Sequence, residues 1–222
     1  MRAFPFPDKI ASREELTRDL LFHKIPQDWY EQIADNAWAT GVKAATEILE
    51  RYPNLTMEQI GKKEGLQIEY VSQDHISGNV RYFSEYYSAP KKIILYTASI
   101  QKWAKANGLS QKEAYELILS HEFYHHLECT RLGLTSKQYQ VPTVTIGKMK
   151  WGKSGIRALS EIGAHGFSRT YYEQKRRMPK QAEKGDTPQL QNHAVNDIAF
   201  RGQKTAQKIY SINPILKFLT GG

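Results

Sequence analysis

The stretch His121-Glu122-Phe123-Tyr124-His125 lies near the middle of the 222-residue chain and places two histidines four positions apart. On an α-helix, residues i and i+4 project from one face. The imidazole nitrogens of His121 and His125 can then approach one cation at the roughly 2.0–2.1 Å typical of zinc–nitrogen bonds. Glu122 lies beside them, where a carboxylate can exchange protons with water. These five residues therefore form a candidate metal site with its own base.

The sequence before this stretch predicts a helix whose inner face carries both histidines. Ser110 is followed three residues later by Glu113, a capping box that is typical of a helix start. Small and apolar residues then recur every three or four positions, with neither Pro nor Gly before Gly133. They are Ala114, Leu117 and Ile118. Because this face is apolar, it favours a shielded metal site over a solvated turn of charged residues.

The pattern H-E-x-x-H is found in zinc metallopeptidases, and a catalytic zinc ion needs a third protein ligand. Metzincins continue with a glycine and a third histidine, but Glu128 and Arg131 stand at those positions, which excludes that class. The other common arrangement is a glutamate on a following helix, and Glu161 is a candidate. Gly163 and Ala164 would let its helix approach the first helix closely, because they add little bulk.

These segments resemble the ImmA/IrrE-type metallopeptidases, in which H-E-x-x-H is followed by E-x-x-A-N-x-F-A. Here the second segment runs Glu161-x-x-Ala164-His165-x-Phe167-Ser168. A short helix ending at Gly65 and strand-like runs at 66–71 and 92–96 follow that family's order of elements, and the likeness covers about residues 55–172. The resemblance implies a zincin-like fold of the gluzincin type. It also implies zinc as the cofactor, held by His121, His125 and Glu161, with Glu122 as the base.

The chain departs from the family pattern in two ways. His165 stands where the family usually has Asn, and about thirty-five residues separate His125 from Glu161, more than in typical members. His165 follows Glu161 by four positions, so both lie on one face of a helix. His165 can orient a metal ligand, replace Glu161 as the third ligand, or simply pack in the interior. The sequence leaves these three roles open.

Other residues are weaker candidates. Tyr171, Tyr172 and His193 are candidates to bind the substrate, through hydrogen bonds to the oxyanion that forms when a carbonyl is attacked. His126 points about 100° away from its neighbour His125 around the helix and is expected at the surface or rim. Cys129 could offer a thiolate to zinc, but a lone cysteine is more often a small buried hydrophobic residue.

The composition, 40% hydrophobic and 24% charged residues, is that of an ordinary globular protein. The N-terminus has no apolar run of signal-peptide length, and no stretch approaches the roughly eighteen apolar residues of a membrane span. The single cysteine excludes an internal disulfide and fits a reducing compartment. We therefore expect a cytoplasmic protein without a membrane partner.

We expect an α+β chain in three parts. Residues 1–54 form an N-terminal helical region, with one long amphipathic helix over about 28–51. Residues 55–175 form the zincin-like metallopeptidase core. Residues 176–222 form a basic linker and a C-terminal helical extension, with a helix near 193–210.

The core combines a sheet with the metal-binding helix. The runs 67–72, 79–87 and 91–97 are rich in Ile, Val, Tyr and Phe and predict a small, twisted, antiparallel sheet packed on that helix. The insertion 130–157 is punctuated by glycines and has one β-prone run, 141–146. Because Pro142 lacks a backbone N–H, that run is expected to be an edge strand or a flap over the site.

The chain carries a net charge of +8, and most of this excess lies near the C-terminus. From Lys175 onward there are nine Lys or Arg against three Asp or Glu. A basic helix can contact the phosphates of nucleic acid. A solvated helix face is favoured instead, because no aromatic residues are interleaved and no DNA-binding motif is present.

The sequence thus predicts a zinc endopeptidase that acts on a protein or peptide substrate, and the resemblance suggests a regulatory target such as a repressor. In zincins, an edge strand of the sheet binds the extended substrate by strand addition. The alternative is a non-catalytic regulatory or nucleic-acid-binding module that retains a zincin scaffold. A structural metal site is less favoured, because it would leave Glu122 without a role and would need four ligands.

Overall fold

The computed structural model describes residues 4–177 and the backbone of residues 208–211. This part of the chain is of the α+β class, with several helices and small sheets. The helices are α1 (Glu15–Arg18), α2 (Tyr30–Arg51), α3 (Met57–Lys63), α4 (Thr97–Ala106), α5 (Gln111–Leu127) and α6 (Ala158–Arg177). The strands are β1 (Gln67–Val71), β2 (His75–Ser77), β3 (Val80–Tyr82), β4 (Ser84–Tyr87), β5 (Lys92–Tyr96), β6 (Gln140–Val141), β7 (Val144–Ile146), β8 (Met149–Trp151), β9 (Ser154–Gly155) and β10 (Lys208–Ser211).

Two helices begin with capping boxes. At the start of α3, Gln59 N–H donates to Thr56 Oγ1 at 3.3 Å, and Thr56 N–H donates to the Gln59 side chain at 2.9 Å. At the start of α5, Glu113 N–H donates to Ser110 Oγ at 3.2 Å, and Ser110 N–H donates to the Glu113 carboxylate at 3.0 Å. These bonds pair amides that otherwise lack a helical partner. The capping box predicted at Ser110 is confirmed.

The main sheet has the strand order β1-β5-β4-β10. β4 is antiparallel to both of its neighbours, but β1 and β5 are parallel, from Gln67 opposite Lys92 to Val71 opposite Tyr96. The prediction of an antiparallel sheet is therefore wrong for this pair. β4 and β5 form an antiparallel hairpin, and it is β5, not β4, that lies beside β1. Because β4 runs opposite to β1, its partner β5 runs in the same direction as β1.

Helix α5 lies at the centre of the fold and contacts α3, α4, α6, β4 and β5. Every residue from Leu117 to Leu127 is buried. His126 is therefore also buried, with its Nδ1 3.3 Å from the hydroxyl of Tyr86 in β4. The expectation that His126 lies at the surface is wrong, because the sheet covers the side of α5 that faces away from His125.

The long helix predicted at about 28–51 is observed as α2, and its most extensive contact is with α6. Glycines permit this contact, because a Cβ on Gly41 would overlap the carbonyl oxygen of Gly163. A Cβ on Gly163 would in turn overlap the hydroxyl of Tyr124 in α5. The sequence analysis predicted, from the small residue Gly163, that α6 approaches α5 closely, and this prediction is confirmed.

The insertion between α5 and α6 forms an antiparallel ribbon whose two sides are each made of two short strands. β6 pairs with β9 at its base and β7 pairs with β8 at its tip. The predicted strand 141–146 is interrupted at Pro142, because proline cannot donate to a strand ladder. Residues 143–153 are all exposed.

The C-terminal region is described only at 208–211, where the chain forms β10 beside β4. The helix predicted near 193–210 is wrong at residues 208–210 and otherwise lies outside the described residues. The basic linker after Arg177 lies outside them too, and the domain boundaries at 54 and 175 stay predictions. Within the described residues, no helix combines the length and apolar character needed to cross a membrane.

The glycine contact between α2 and α6 yields a stability prediction. Gly41→Ala should lower the free energy of unfolding by about 1–3 kcal/mol, because the new Cβ meets backbone that cannot move aside. Gly61→Ala is the matched control, since its Cβ meets the end of the Ile68 side chain at 3.3 Å and alanine favours a helix by about 1 kcal/mol. Urea unfolding followed by circular dichroism measures both. Equal stability of the two variants would contradict the proposed contact.

Candidate metal centre

Helices α5 and α6 bring two histidines and a glutamate together. The Nε2 atoms of His121 and His125 lie 3.3 Å apart. The carboxylate of Glu161 lies 3.3 Å from His121 Nε2 and 3.7 Å from His125 Nε2. One ligand atom from each residue lies within 4.8 Å of the other two, and the residues are 0%, 1% and 9% exposed. The cluster can therefore hold a metal ion on three protein ligands.

The donor set fits zinc, which binds imidazole nitrogens and carboxylate oxygens in such sites. Glu161 Oε2 lies 3.3 Å from His121 Nε2, yet this buried oxygen forms no hydrogen bond with the described residues. Buried carboxylate oxygens nearly always have a partner. The positions of these atoms are those expected of groups that share a cation.

The ionisation of the cluster also favours a positive charge. Burial alone would raise the pKa of Glu161, but His121 and His125 outweigh it and lower this pKa to about 2. Burial would lower the pKa of His125, but Glu128, Glu161 and Glu122 outweigh it and raise this pKa to about 9. The positive charge is carried by a proton on the imidazole or by a metal ion that displaces that proton.

Glu128 orients His125. The Nδ1–H of His125 donates to Glu128 Oε2 at 2.9 Å. The other oxygen of Glu128 accepts hydrogen bonds from Thr135 N–H and Ser160 Oγ, both at 2.7 Å. This arrangement leaves Nε2 of His125 directed at the cluster, where it can carry a proton or bind a metal ion that displaces that proton. Sequence reasoning missed the role of Glu128, although its position three residues after His125 on a helix was a usable signal.

Glu122 is buried beside the ligands and contacts the first residue of β4. Ser84 Oγ donates to Glu122 Oε1 at 2.9 Å, whereas Oε2 is buried and has no hydrogen-bond partner among the described residues. Burial raises the pKa of Glu122. A carboxylate with one fixed oxygen, one unpaired oxygen and a raised proton affinity is suited to accept a proton from water. No pattern in the sequence indicated Ser84, which lies 38 residues before Glu122 on a strand.

His165 lies next to the cluster. Its ring centroid is 5.5 Å from that of His121, and its Nδ1 is hydrogen-bonded to Ser12 Oγ at 3.2 Å. Burial and the neighbouring His121 lower the pKa of His165 to about 3, so the imidazole is neutral near pH 7. The group of potential ligands that converge includes Glu161 and does not include His165. His165 thus connects the cluster to the N-terminal segment.

That N-terminal segment covers the cluster. The ring of Phe6 stacks on His121, with centroids 5.9 Å apart and planes 17° apart, and lies 6.0 Å from the ring of His165. Glu15 is also buried, and burial together with the charge of Glu161 raises its pKa to about 7, against the opposing effect of Arg18. Phe6 thus shields His121 and His165 from solvent on the side where this segment lies.

The other predicted site residues are not brought to the cluster. Tyr171 and Tyr172 lie about 15 Å from Glu161 along α6. Their hydroxyls donate to Glu116 and Glu113, both at 3.0 Å. His193 lies outside the described residues, so its role stays a prediction. Cys129 is half-buried and packs against the core around α5, as expected of a lone cysteine.

Comparison of the chain with protein-family models, with curated proteins and with solved structures gives no match. The geometry of the cluster and the spacing of its residues are therefore what supports a function for the chain.

The contact between Glu128 and His125 yields a prediction about metal affinity. Glu128→Gln should weaken Zn²⁺ binding about 10–100-fold, because the charge that orients the imidazole is lost. Glu116→Gln is the matched control, because this half-buried glutamate of α5 accepts hydrogen bonds from Met57 N–H and Tyr171 instead. Competition with a chromophoric chelator measures the affinity. An unchanged affinity in the Glu128 variant would refute the orienting role.

The covering segment yields a kinetic prediction. Phe6→Ala should speed removal of bound Zn²⁺ by excess chelator about tenfold or more, because losing the ring weakens the closed arrangement. Phe22→Ala is the control, since this N-terminal aromatic side chain packs on Tyr30 away from the histidines. Stopped-flow absorbance follows the release. If both variants release the ion at the wild-type rate, the segment does not limit access.

Proposed function

We propose that the chain is a zinc-dependent endopeptidase that hydrolyses peptide bonds in a protein substrate, with a zincin-like fold related to the ImmA/IrrE-type metallopeptidases. The observation that supports this most directly is the convergence of His121, His125 and Glu161 beside a buried Glu122. The site supplies three ligands and a separate base, which is the composition of catalytic zinc sites.

Each residue has a chemical task in this proposal. His121, His125 and Glu161 would hold the ion, which when bound would polarise the scissile carbonyl and lower the pKa of water toward about 7. Glu122 accepts the proton of the attacking water on Oε2 and then delivers it to the leaving amine. Ser84 holds the other oxygen of Glu122, so the base keeps its position through both transfers.

The substrate would lie along β4, which begins at Ser84 next to Glu122. An extended peptide that pairs with β4 would pass the base with its backbone, as strand addition requires. β4 is not an edge strand in the structure, however, because β10 pairs with its outer side. Binding there requires β10 and the substrate to exchange places.

Two parts of the chain therefore restrict the access of a substrate to the site. β10 occupies the outer side of β4, and the N-terminal segment packs against His121. A peptidase for bulk digestion needs an open cleft. A site that opens only on rearrangement favours a specific, regulatory protein substrate such as a repressor.

The competing hypothesis is a regulatory or nucleic-acid-binding module that keeps the scaffold without catalysis. It depends on the basic region after Arg177, which lies outside the described residues. A structural metal site remains less favoured, because Glu122 has a buried oxygen without a partner among the described residues and because three ligands converge there where four would be expected.

The mechanism makes a direct prediction for Glu122→Gln. The variant should keep one zinc per chain, because the three ligands are unchanged, and should lose hydrolysis by about 10²–10⁴-fold, because the amide cannot accept the proton. Elemental analysis measures zinc, and mass spectrometry of the new amino termini that form in a cell lysate incubated with the chain measures cleavage.

Two further variants serve as controls for this experiment. His121→Ala should lose both zinc and cleavage, whereas Glu116→Gln should keep both. Full turnover by the Glu122 variant would overturn the assigned base. Wild-type chain that fails to retain zinc after incubation with the ion would overturn the metal assignment.

A further inference from the structure

The ribbon between the two metal-ligand helices has one apolar face. Val144 lies opposite Trp151, and Ile146 lies opposite Met149. Residues that are opposite each other, or two apart along a strand, share one face of an antiparallel pair. These four side chains therefore form one surface, and Thr145 and its neighbour across the ladder, Lys150, form the other.

This apolar face is exposed. The four side chains are between 45% and 64% exposed. They account for four of the ten exposed large hydrophobic residues among the described residues, and all four lie in the eight residues Val144–Trp151 at the tip of the ribbon. Exposed apolar groups that are concentrated in this way mark interaction surfaces, whereas isolated ones are normal.

The base of the ribbon is fixed to the protein. Val141 and Ile156 are buried in the core formed by α1, α2 and α6, and the N–H of Ile156 donates to the carbonyl of Ser136 at 2.8 Å. The N–H of Ser136 donates to Ser160 Oγ, which in turn donates to Glu128. The base of the ribbon is thus connected by hydrogen bonds to Glu128, the carboxylate that contacts His125.

The charge around the ribbon has one sign. Residues 129–160 contain six Lys or Arg and no Asp or Glu. Lys148, Lys150 and Lys153 are on or beside the ribbon, and in residues 4–177 none of them forms an ion pair. A partner that covers the apolar face must therefore bring negative charge to its border.

The geometry points to a partner in extended conformation. β7 and β8 form a sheet of two strands, so among the described residues the outer edge of each has unpaired backbone groups. A third strand with alternating apolar and acidic residues would continue the apolar face on one side and place its carboxylates beside Lys150 on the other.

We propose that the ribbon Val144–Trp151 is a docking surface for an acidic, apolar strand of a protein partner. That this partner is the substrate rests on the proposed peptidase function; the docking itself does not. A lipid surface fits less well, because Lys148 occupies the turn that would enter the hydrocarbon first. A second copy of this chain also fits less well, because the six cationic residues of segment 129–160 in one copy would face the same six in the other and repel them.

The test is binding of synthetic peptides to the full-length chain by fluorescence anisotropy. The acidic probe is a fluorescein-labelled octapeptide that alternates Glu with Val or Leu, and two further probes replace Glu by Lys or the apolar residues by Ser. The acidic apolar probe should bind at least tenfold more tightly than either of the others. Equal binding of all three probes would overturn the proposal.

Variants locate the binding. The double variant Ile146→Ser/Met149→Ser should bind the acidic apolar probe at least tenfold more weakly than the wild type. Lys150→Glu alone should also lower the affinity for this probe and should make that affinity less dependent on salt. Ile76→Ser is the matched control, because it replaces an exposed isoleucine on the separate β2–β3 ribbon. All four side chains are exposed, so zinc content and the unfolding midpoint should stay at wild-type values. Wild-type affinity in both ribbon variants would refute the docking surface.

Four further results separate this proposal from its alternatives and from the proposed peptidase function. Binding to phosphatidylcholine–phosphatidylserine vesicles that the ribbon variants abolish would overturn it in favour of a lipid surface. Dimerisation in sedimentation that the same variants abolish would overturn it in favour of a second copy. Probe binding without any zinc-dependent formation of new amino termini in the lysate would support the docking surface while the peptidase function fails, and cleavage without probe binding would do the reverse.

Discussion

Buried negative charge is the constraint on which the structure depends. Glu122, Glu128 and Glu161 lie in an interior where an unpaired carboxylate costs several kcal/mol, and two imidazoles are placed among them. His125 contacts Glu128 through one ring nitrogen and approaches Glu161 with the other. The hydrogen bonds from Thr135 and from Ser84 on β4 connect these charges to the loop after α5 and to the sheet. The interior of the protein is thus arranged around a site for positive charge.

Backbone contacts at glycine make this arrangement possible. Glu161 reaches the histidines because α6 lies against α5 at Gly163 and against α2 at Gly41. Side chains at these positions would push the helices apart and separate the ligands. α2 contributes no residue to the candidate metal site, yet it packs against the side of α6 that faces away from that site. The long N-terminal helix therefore acts as a support for the centre.

The sequence predicted those features that are set by local spacing. The capping box at Ser110 and the i, i+4 pair His121 and His125 need only a few consecutive residues, and they are found as expected. Glu161 was predicted from a motif and from small neighbours. Contacts between distant segments had no such signal, which is why Ser84, Phe6 and Ser12 were missed. The parallel β1–β5 pair and the burial of His126 likewise depend on how the sheet folds over α5, which spacing along one helix does not encode.

The pairing of β10 with β4 bears on how the chain is made. β4 ends at Tyr87, whereas β10 begins at Lys208, so helices α5 and α6 are translated well before β10 emerges from the ribosome. During that interval, the outer edge of β4 offers unpaired backbone groups to any neighbouring nascent chain. Once it is synthesised, β10 pairs with this edge and makes β4 an interior strand, and a truncation that removes β10 leaves the edge of β4 open beside the buried carboxylates.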